Sequence, residues 1–309
     1  MKLCKVYKFE DTDETDPLWQ YLLNQMCPWF KDHGPIHRHF WEWAVGLYGL
    51  DKLGFIRPDA RALSVGAGLE WPLFYLANRI NRVHAIDIYD DTWYGGEKDP
   101  TVPGNAERLA PFPYRDDALV FQRMDALDLK FADGSFDFVF SFSSIEHFNA
   151  PGFKRHEASS WAMCEIARVL KPGGVAVIST ELLLEDVAHP EYFSPREVES
   201  CLVRPSGLKL VEPVDYSVDE RLLSDPVWLD GPPGTSRPGV PHTSVRLGGV
   251  TFTSVVLFLR KPRGWRPHWR WARLPRAATV QSRRLAYSLQ TPVRGVLRKF
   301  IPGRRKASA

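Results

Sequence analysis

Leu63-Ser64-Val65-Gly66-Ala67-Gly68-Leu69-Glu70 is the stretch whose reading decides the fold. A short apolar run enters two closely spaced glycines, the pattern of a strand running into a glycine-rich turn. Asp87 follows about 20 residues later, inside a second apolar run at 83–88. A strand, a glycine turn and an acidic residue ending the next strand are how a doubly wound α/β domain holds the adenosine part of a cofactor. The glycines alone do not say which cofactor.

Outward from the turn, strands alternate with helices. Upstream, Phe40, Trp41, Ala44, Val45, Leu47, Tyr48 and Leu50 recur at helical spacing, and Pro58 separates them from the first strand at 62–65. Downstream, 70–80 reads as the helix leaving the turn, and further strands are expected at 119–122, 136–142, 175–180, 208–214 and 250–259. A helix fits 156–171, with Pro172-Gly173-Gly174 as its stop. Residues 90–118 and 215–248 read as irregular connections. The pattern predicts an α/β fold with a mostly parallel sheet covered on both faces. The last two strands flank an irregular segment and not a helix, so they form an antiparallel pair at one edge.

Composition narrows the class. The chain has 309 residues, 44% hydrophobic and 25% charged, ordinary for a globular protein. It has no apolar run of about 18 residues, and its N-terminus lacks the apolar core of a signal peptide. Cys4, Cys27, Cys164 and Cys201 are scattered, which suits reduced thiols in a cytoplasmic protein and no zinc site. The net charge of +3 hides an asymmetry: from Arg260 onward there are 15 Lys and Arg and no Asp or Glu. The body is therefore strongly acidic and the tail strongly basic. Three regions are expected: 1–57, a helical cap that shapes the substrate site; 58–261, the cofactor domain; and 262–309, a basic tail.

A nicotinamide-binding turn needs a third glycine where this chain has Trp71, whose indole would obstruct helix–strand packing. No G-K-[ST] follows, so the turn is no P-loop, and no G-x-S-x-G of an α/β-hydrolase is present. Four segments instead resemble class I S-adenosylmethionine-dependent methyltransferases, in particular the methyltransferase type 11 group of the UbiE/COQ5 kind. They are Leu63–Gly68; Ala85-Ile86-Asp87-Ile88; Asp125-Ala126 with Asp133-Gly134-Ser135-Phe136-Asp137-Phe138-Val139; and Arg168-Val169-Leu170-Lys171-Pro172-Gly173-Gly174. The resemblance covers about residues 60–180 and implies a doubly wound, mostly parallel seven-stranded sheet with an antiparallel edge strand, a Rossmann-like methyltransferase fold, with S-adenosylmethionine as cofactor.

It also implies site residues. Val65, Gly66, Ala67 and Gly68 would form the cofactor turn, Asp87 and Ile88 would hold the ribose, and Asp125 and Ala126 would face adenine. Ser141 and Phe142 would line the methionine end. For Asp125 a turn-capping role is the alternative. The family usually has an acidic residue at the position of Ser64 and often a glycine at Glu70. Glu70 either faces the cationic methionine end, offsetting the change at Ser64, or is a first-turn helix residue favoured by the macrodipole. Both readings stand at this point.

His147, in Ser144-Ile145-Glu146-His147-Phe148 after the fourth strand, is the candidate general base, because its pKa range suits proton removal from an oxygen nucleophile. A structural role is its alternative. Asp87–Tyr94 could form an aromatic lid, and His33, His37 and His39 precede the first strand. None of these makes a metal site. In the tail, Trp265, Trp269 and Trp271 interleave with arginines, and Val293, Val296, Leu297, Phe300 and Ile301 alternate with Arg294, Arg298 and Lys299. That pattern suits an anionic membrane surface, at the inner face of the membrane, and suits nucleic acid less well. The expected activity is O-methylation of a small molecule, saccharide or lipid-linked glycan. An RNA methyltransferase and a non-catalytic scaffold are the rivals.

Overall fold

The structure, a computed structural model, describes residues 2–12, 37–89, 102–230 and 241–266. Ten strands form one sheet: β1 (Lys5–Val6), β2 (Arg61–Val65), β3 (Arg82–Asp87), β4 (Leu119–Arg123), β5 (Phe136–Ser141), β6 (Leu170–Leu183), β7 (Lys209–Leu210), β8 (Val227–Trp228), β9 (Val245–Leu247) and β10 (Val250–Arg260). The order is β4-β3-β2-β5-β6-β10-β9-β8, with β1 and β7 also paired to β10. The five strands from β4 to β6 are mutually parallel, and β10 runs antiparallel to β6. This is the expected doubly wound sheet with its antiparallel side. The count rises above seven because β1, β8 and β9 add short strands around β10.

Period-2 alternation sorts the side chains into two cores. Phe138, Phe140, Val175, Val177, Val256 and Phe258 join one core, under α1 (Arg38–Lys52) and α2 (Trp71–Ala77). Val139, Ala176, Ile178, Val255 and Leu257 join the other, under α4 (Glu157–Val169) and a helical segment at 195–206. Each fully buried side chain of this size contributes about 1.5–3 kcal/mol of burial free energy. Another helix, α3 (Val102–Leu109), precedes β4. α1 lies so close to the sheet that a Cβ on Gly46 would stand 2.5 Å from the Phe142 ring, and one on Gly49 would overlap Phe258.

Several elements differ from expectation: α3 lies within 90–118, and a short helix at Glu220–Ser224 with β8 and β9 lies within 215–248, both read as irregular connections. The helix before Pro172 ends at Val169, but the strand starts at once, at Leu170. Leu170 pairs with Phe136 and Val175 with Phe138, so Lys171–Gly174 forms a bulge between them. Gly174 belongs there because a Cβ would stand 2.7 Å from the Asp137 carbonyl oxygen. The strand expected at 208–214 shrinks to β7. Beyond it the side of β10 is taken by β1, through Lys5↔Val256 and Val6↔Val255. Asp215 pairs with the Cys4–Val6 segment instead, accepting from Val6 N at 3.1 Å and donating to Cys4 O at 2.9 Å. The segment at 195–206 was not expected, although Ser194-Pro195-Arg196-Glu197 spells a capping box, and both of its reciprocal bonds are present.

The motif residues also hold the frame. Arg168 binds Glu165, Asp133 and the carbonyls of Leu129 and Phe131, which fastens the loop before β5 to α4. Asp137 accepts from Arg57 at 2.6 Å, Lys171 at 2.8 Å and the Arg61 backbone N–H at 2.9 Å. Trp265, in the part of the basic tail that the structure describes, donates its indole N–H to Ser206 O at 2.8 Å and carries Lys261 4.2 Å above its ring. The rest of the basic tail, the 90–94 part of the lid candidate, His33 and Cys27 lie outside the described residues.

Candidate active site

β2 delivers Val65 to the turn at the carboxyl end of the sheet. Gly66 and Gly68 have φ of +68° and +46°, the left-handed region that a side chain resists. At Gly66 space also forbids a side chain: a Cβ would lie 2.6 Å from Ser144 Cβ. Ala67 N–H donates to Ile86 O at 2.9 Å, so the turn is stitched to β3. Asp87 completes the stitching. Its Oδ2 accepts from Gly68 N–H at 3.0 Å and its Oδ1 from Ile88 N–H at 2.6 Å. Tyr89 donates its hydroxyl to Gly68 O at 3.0 Å. The carboxylate is buried, whereas Ile88 is 39% exposed beside it.

Glu70 is the N-cap of α2, yet its side chain makes no capping hydrogen bond. Its Oε2 is buried with no hydrogen-bond partner. Burial, with Glu42 and Asp87 adding like charge, pushes its carboxyl well above the usual range. Trp71 next to it joins Phe40 and Trp43 in an aromatic cluster, with ring centroids 4.9–5.8 Å apart. Ser64 and Ser141, on the adjacent strands β2 and β5, are likewise buried with unpartnered hydroxyl oxygens. Phe142 turns its ring into the core under α1, so only its backbone is left to line a site. Asp125 caps its own turn, with Oδ1 accepting from Leu127 N–H at 2.9 Å, and Ala126 follows, half-buried.

The turn after β5 carries the second half of the site. Ser144 donates its hydroxyl to Gly66 O at 2.8 Å and to Phe142 O at 3.1 Å, joining this turn to the glycine turn. Ser143, with φ of +40°, donates to Glu42 Oε2 at 2.7 Å. Ser179 and Ser254 donate to the same carboxylate at 2.9 and 2.5 Å, and His39 Nδ1 lies 3.3 Å away. Burial opposes ionisation of Glu42, but His39, Arg38 and these hydrogen bonds outweigh it and hold its carboxyl at about 2.

Ile145–His147 is a single 3-10 turn. Glu146 is buried, and its Oε2 accepts from Thr180 Oγ1 at 3.0 Å. Glu181, at the next position of β6, is ion-paired to Arg38 at 2.8 Å. His147 Nδ1 lies 3.5 Å from Glu191 Oε2. Burial lowers the His147 pKa, Arg38 and His39 add to the effect, and Glu191 opposes it. His37 and His242 stand 4.8 Å apart, centroid to centroid, at the rim. Sequence reasoning missed Arg38, Glu42 and Glu181. The first two were findable as charged residues at i and i+4 on a helix otherwise apolar on that face. Glu181 gave no local signal.

These residues fit an adenosine-type cofactor with a cationic end. The turn excludes side chains at Gly66, and Glu70 brings to it a buried carboxyl whose Oε2 has no hydrogen-bond partner. A family model described as a methyltransferase domain matches residues 63–178. Among solved structures, the chain is similar to a putative sarcosine dimethylglycine methyltransferase from Galdieria sulphuraria (16% identity, 72% of this chain and 85% of that one, TM-score 0.48). It is similar to a chain of the complex between the Haloferax volcanii Trm112 methyltransferase activator and the putative methyltransferase (19% identity, 82% and 100%, TM-score 0.47). It is also similar to the 1,6-didemethyltoxoflavin-N1-methyltransferase of Burkholderia thailandensis (17% identity, 79% and 84%, TM-score 0.43). The family match, set on the strand order above, makes residues 63–178 a class I methyltransferase domain. That domain is of the S-adenosylmethionine-dependent kind, with S-adenosylmethionine as its cofactor.

Proposed function

We propose that the chain transfers the methyl group to an oxygen of a small-molecule or saccharide acceptor. The observation that carries this reading is the Ser144 hydroxyl on Gly66 O at 2.8 Å. It sets the glycine turn directly against the turn that bears Glu146 and His147, so cofactor and acceptor sides share one edge of the sheet. S-adenosylmethionine supplies a methyl group on a sulfonium, a good leaving group for in-line displacement. The chain's own residues then align and exclude water. Gly66 and Gly68 give backbone access. Asp87, braced by two backbone N–H groups, adds ribose hydroxyls to its acceptor load, because a carboxylate accepts more than two hydrogen bonds. Asp125 does the same for the adenine amino group while keeping its turn. Glu70 faces the sulfonium end, with Ser141 and the Phe142 backbone beside it. His147 stands on the acceptor side with Glu146, Glu181 and Arg38.

The test is methyl transfer over a panel of hydroxylated metabolites, glycosides, amines and RNA, read by S-adenosylhomocysteine release and product mass. Methylated hydroxyls support the reading; transfer confined to amines or RNA contradicts it. We place the basic tail against an anionic membrane surface. No described helix is long and apolar enough to cross a membrane. Co-sedimentation with phosphatidylglycerol vesicles, comparing the full chain with a truncation after residue 266 that keeps Trp265 docked, checks this. Equal sedimentation removes the tail's role.

A further inference from the structure

We infer that Glu146, His147 and Glu181 form a divalent-cation site on the acceptor side. One ligand atom of each lies within 4.8 Å of the others, the spread taken up by donors about 2.0–2.4 Å from a shared ion. The two carboxylates are 3% and 2% exposed. Each keeps one oxygen, Glu146 Oε1 and Glu181 Oε2, buried with no hydrogen-bond partner. The other oxygen of each is fixed, by the Thr180 hydroxyl at 3.0 Å and by Arg38 Nη2 at 2.8 Å. One held oxygen and one unclaimed oxygen is how outer partners orient metal-binding carboxylates.

Charge argues the same way. Glu42, Glu146 and Glu181 are three buried carboxylates, and Arg38 is the guanidinium paired among them. His39 beside Glu42 offsets one at most. Buried carboxyls in excess of their partners either hold protons or are met by a bound cation. A metal would also take an imidazole nitrogen of His147 as a ligand, which an ammonium cannot. Two carboxylates and one imidazole suit Mn²⁺, Fe²⁺ or Zn²⁺ better than Ca²⁺ or Mg²⁺, which prefer oxygen alone.

The role of the ion rests on the proposed O-methyl transfer; its binding does not. An acceptor hydroxyl on an open coordination position would be acidified by the ion. Its O–H bond breaks, the proton passes to solvent, and the oxygen's electron pair forms the O–CH₃ bond as the S–CH₃ bond breaks. His147 is then a ligand, and no side chain need act as base.

The full chain, stripped with chelator and dialysed, is titrated with MnCl₂ and the free ion read by electron paramagnetic resonance, with ZnCl₂ as competitor. S-adenosylhomocysteine affinity is measured on the same samples. The expected result is one ion per chain, with affinity reduced at least tenfold by Glu146→Gln and by Glu181→Gln while S-adenosylhomocysteine binding is kept. No bound Mn²⁺ or Zn²⁺, or an affinity that both substitutions leave unchanged, overturns the inference. Loss of S-adenosylhomocysteine binding in the unaltered chain would instead strike the methyltransferase reading and leave the ion result standing.

Discussion

Glu42 Oε2 accepts a hydrogen bond from Ser143 Oγ at 2.7 Å, across 101 residues of chain. This contact fastens α1 to the left-handed turn that follows β5, and the next residue, Ser144, fastens that turn to Gly66. α1, the turn after β5 and the glycine turn are thus joined by one chain of contacts.

Glu42→Ala leaves three serine hydroxyls and His39 without their shared acceptor. Removing one member of a buried charged network costs about 3–5 kcal/mol. Urea unfolding should show a loss of that order, whereas a loss within experimental error would mean the network carries no stability.

Gly66→Ala meets both a positive φ and the Ser144 side chain. The backbone term alone is about 1–2 kcal/mol. We expect a lower melting temperature together with an S-adenosylhomocysteine affinity reduced by at least tenfold. Ser144→Gly in the same chain should recover part of the steric loss and none of the backbone loss.

How much of this was readable from the chain divides along physical lines. The Gly66–Gly68 turn, Asp87 and the bulge-forming Lys171–Gly174 carry local backbone demands, which residue type records directly. The Ser194–Glu197 capping box was equally local and was passed over. The Glu42 network and the Arg38–Glu181 pair depend on where α1 settles on β6 and β10, and no short-range pattern encodes that docking. The same holds for 208–214, whose pairing is decided by β1 from the far end of the chain.

Glu70 links pH to ligand charge. Its folded-state carboxyl is raised, chiefly by burial, so the apo chain holds a proton there that the unfolded chain releases at lower pH. That contribution to stability is present at low pH and declines as pH rises toward the folded pKa. A sulfonium nearby favours the carboxylate and expels the proton. S-adenosylmethionine binding should therefore release protons and tighten with rising pH, and neutral-sulfur S-adenosylhomocysteine should not. Calorimetry in two buffers of different ionisation enthalpy reads the difference, and Glu70→Gln should abolish it. Equal proton release by the two ligands would remove Glu70 from the methionine end.

His156 gives a pH effect of the opposite sign. Burial, with Arg155 and His189 adding to it, lowers its pKa to about 4 as it stacks on Phe193 with centroids 4.1 Å apart. Below about pH 6.5 the unfolded chain takes up a proton that the folded chain refuses, so stability is lost as pH falls from 6.5 toward 4. His156→Asn, which tolerates the φ of 58° at this position, should shed less stability than the parent between pH 7 and pH 5 in urea titrations. Parallel losses in the two chains would contradict the assignment.

The central claim is that the Gly66–Gly68 turn, braced by Asp87, holds S-adenosylmethionine. Titration calorimetry of S-adenosylhomocysteine into the full chain and into Asp87→Asn tests it most directly. We predict one site per chain, and at least a tenfold loss of affinity in the variant, about 1.4 kcal/mol or more. No binding to the parent chain, or equal binding to both, would contradict the account.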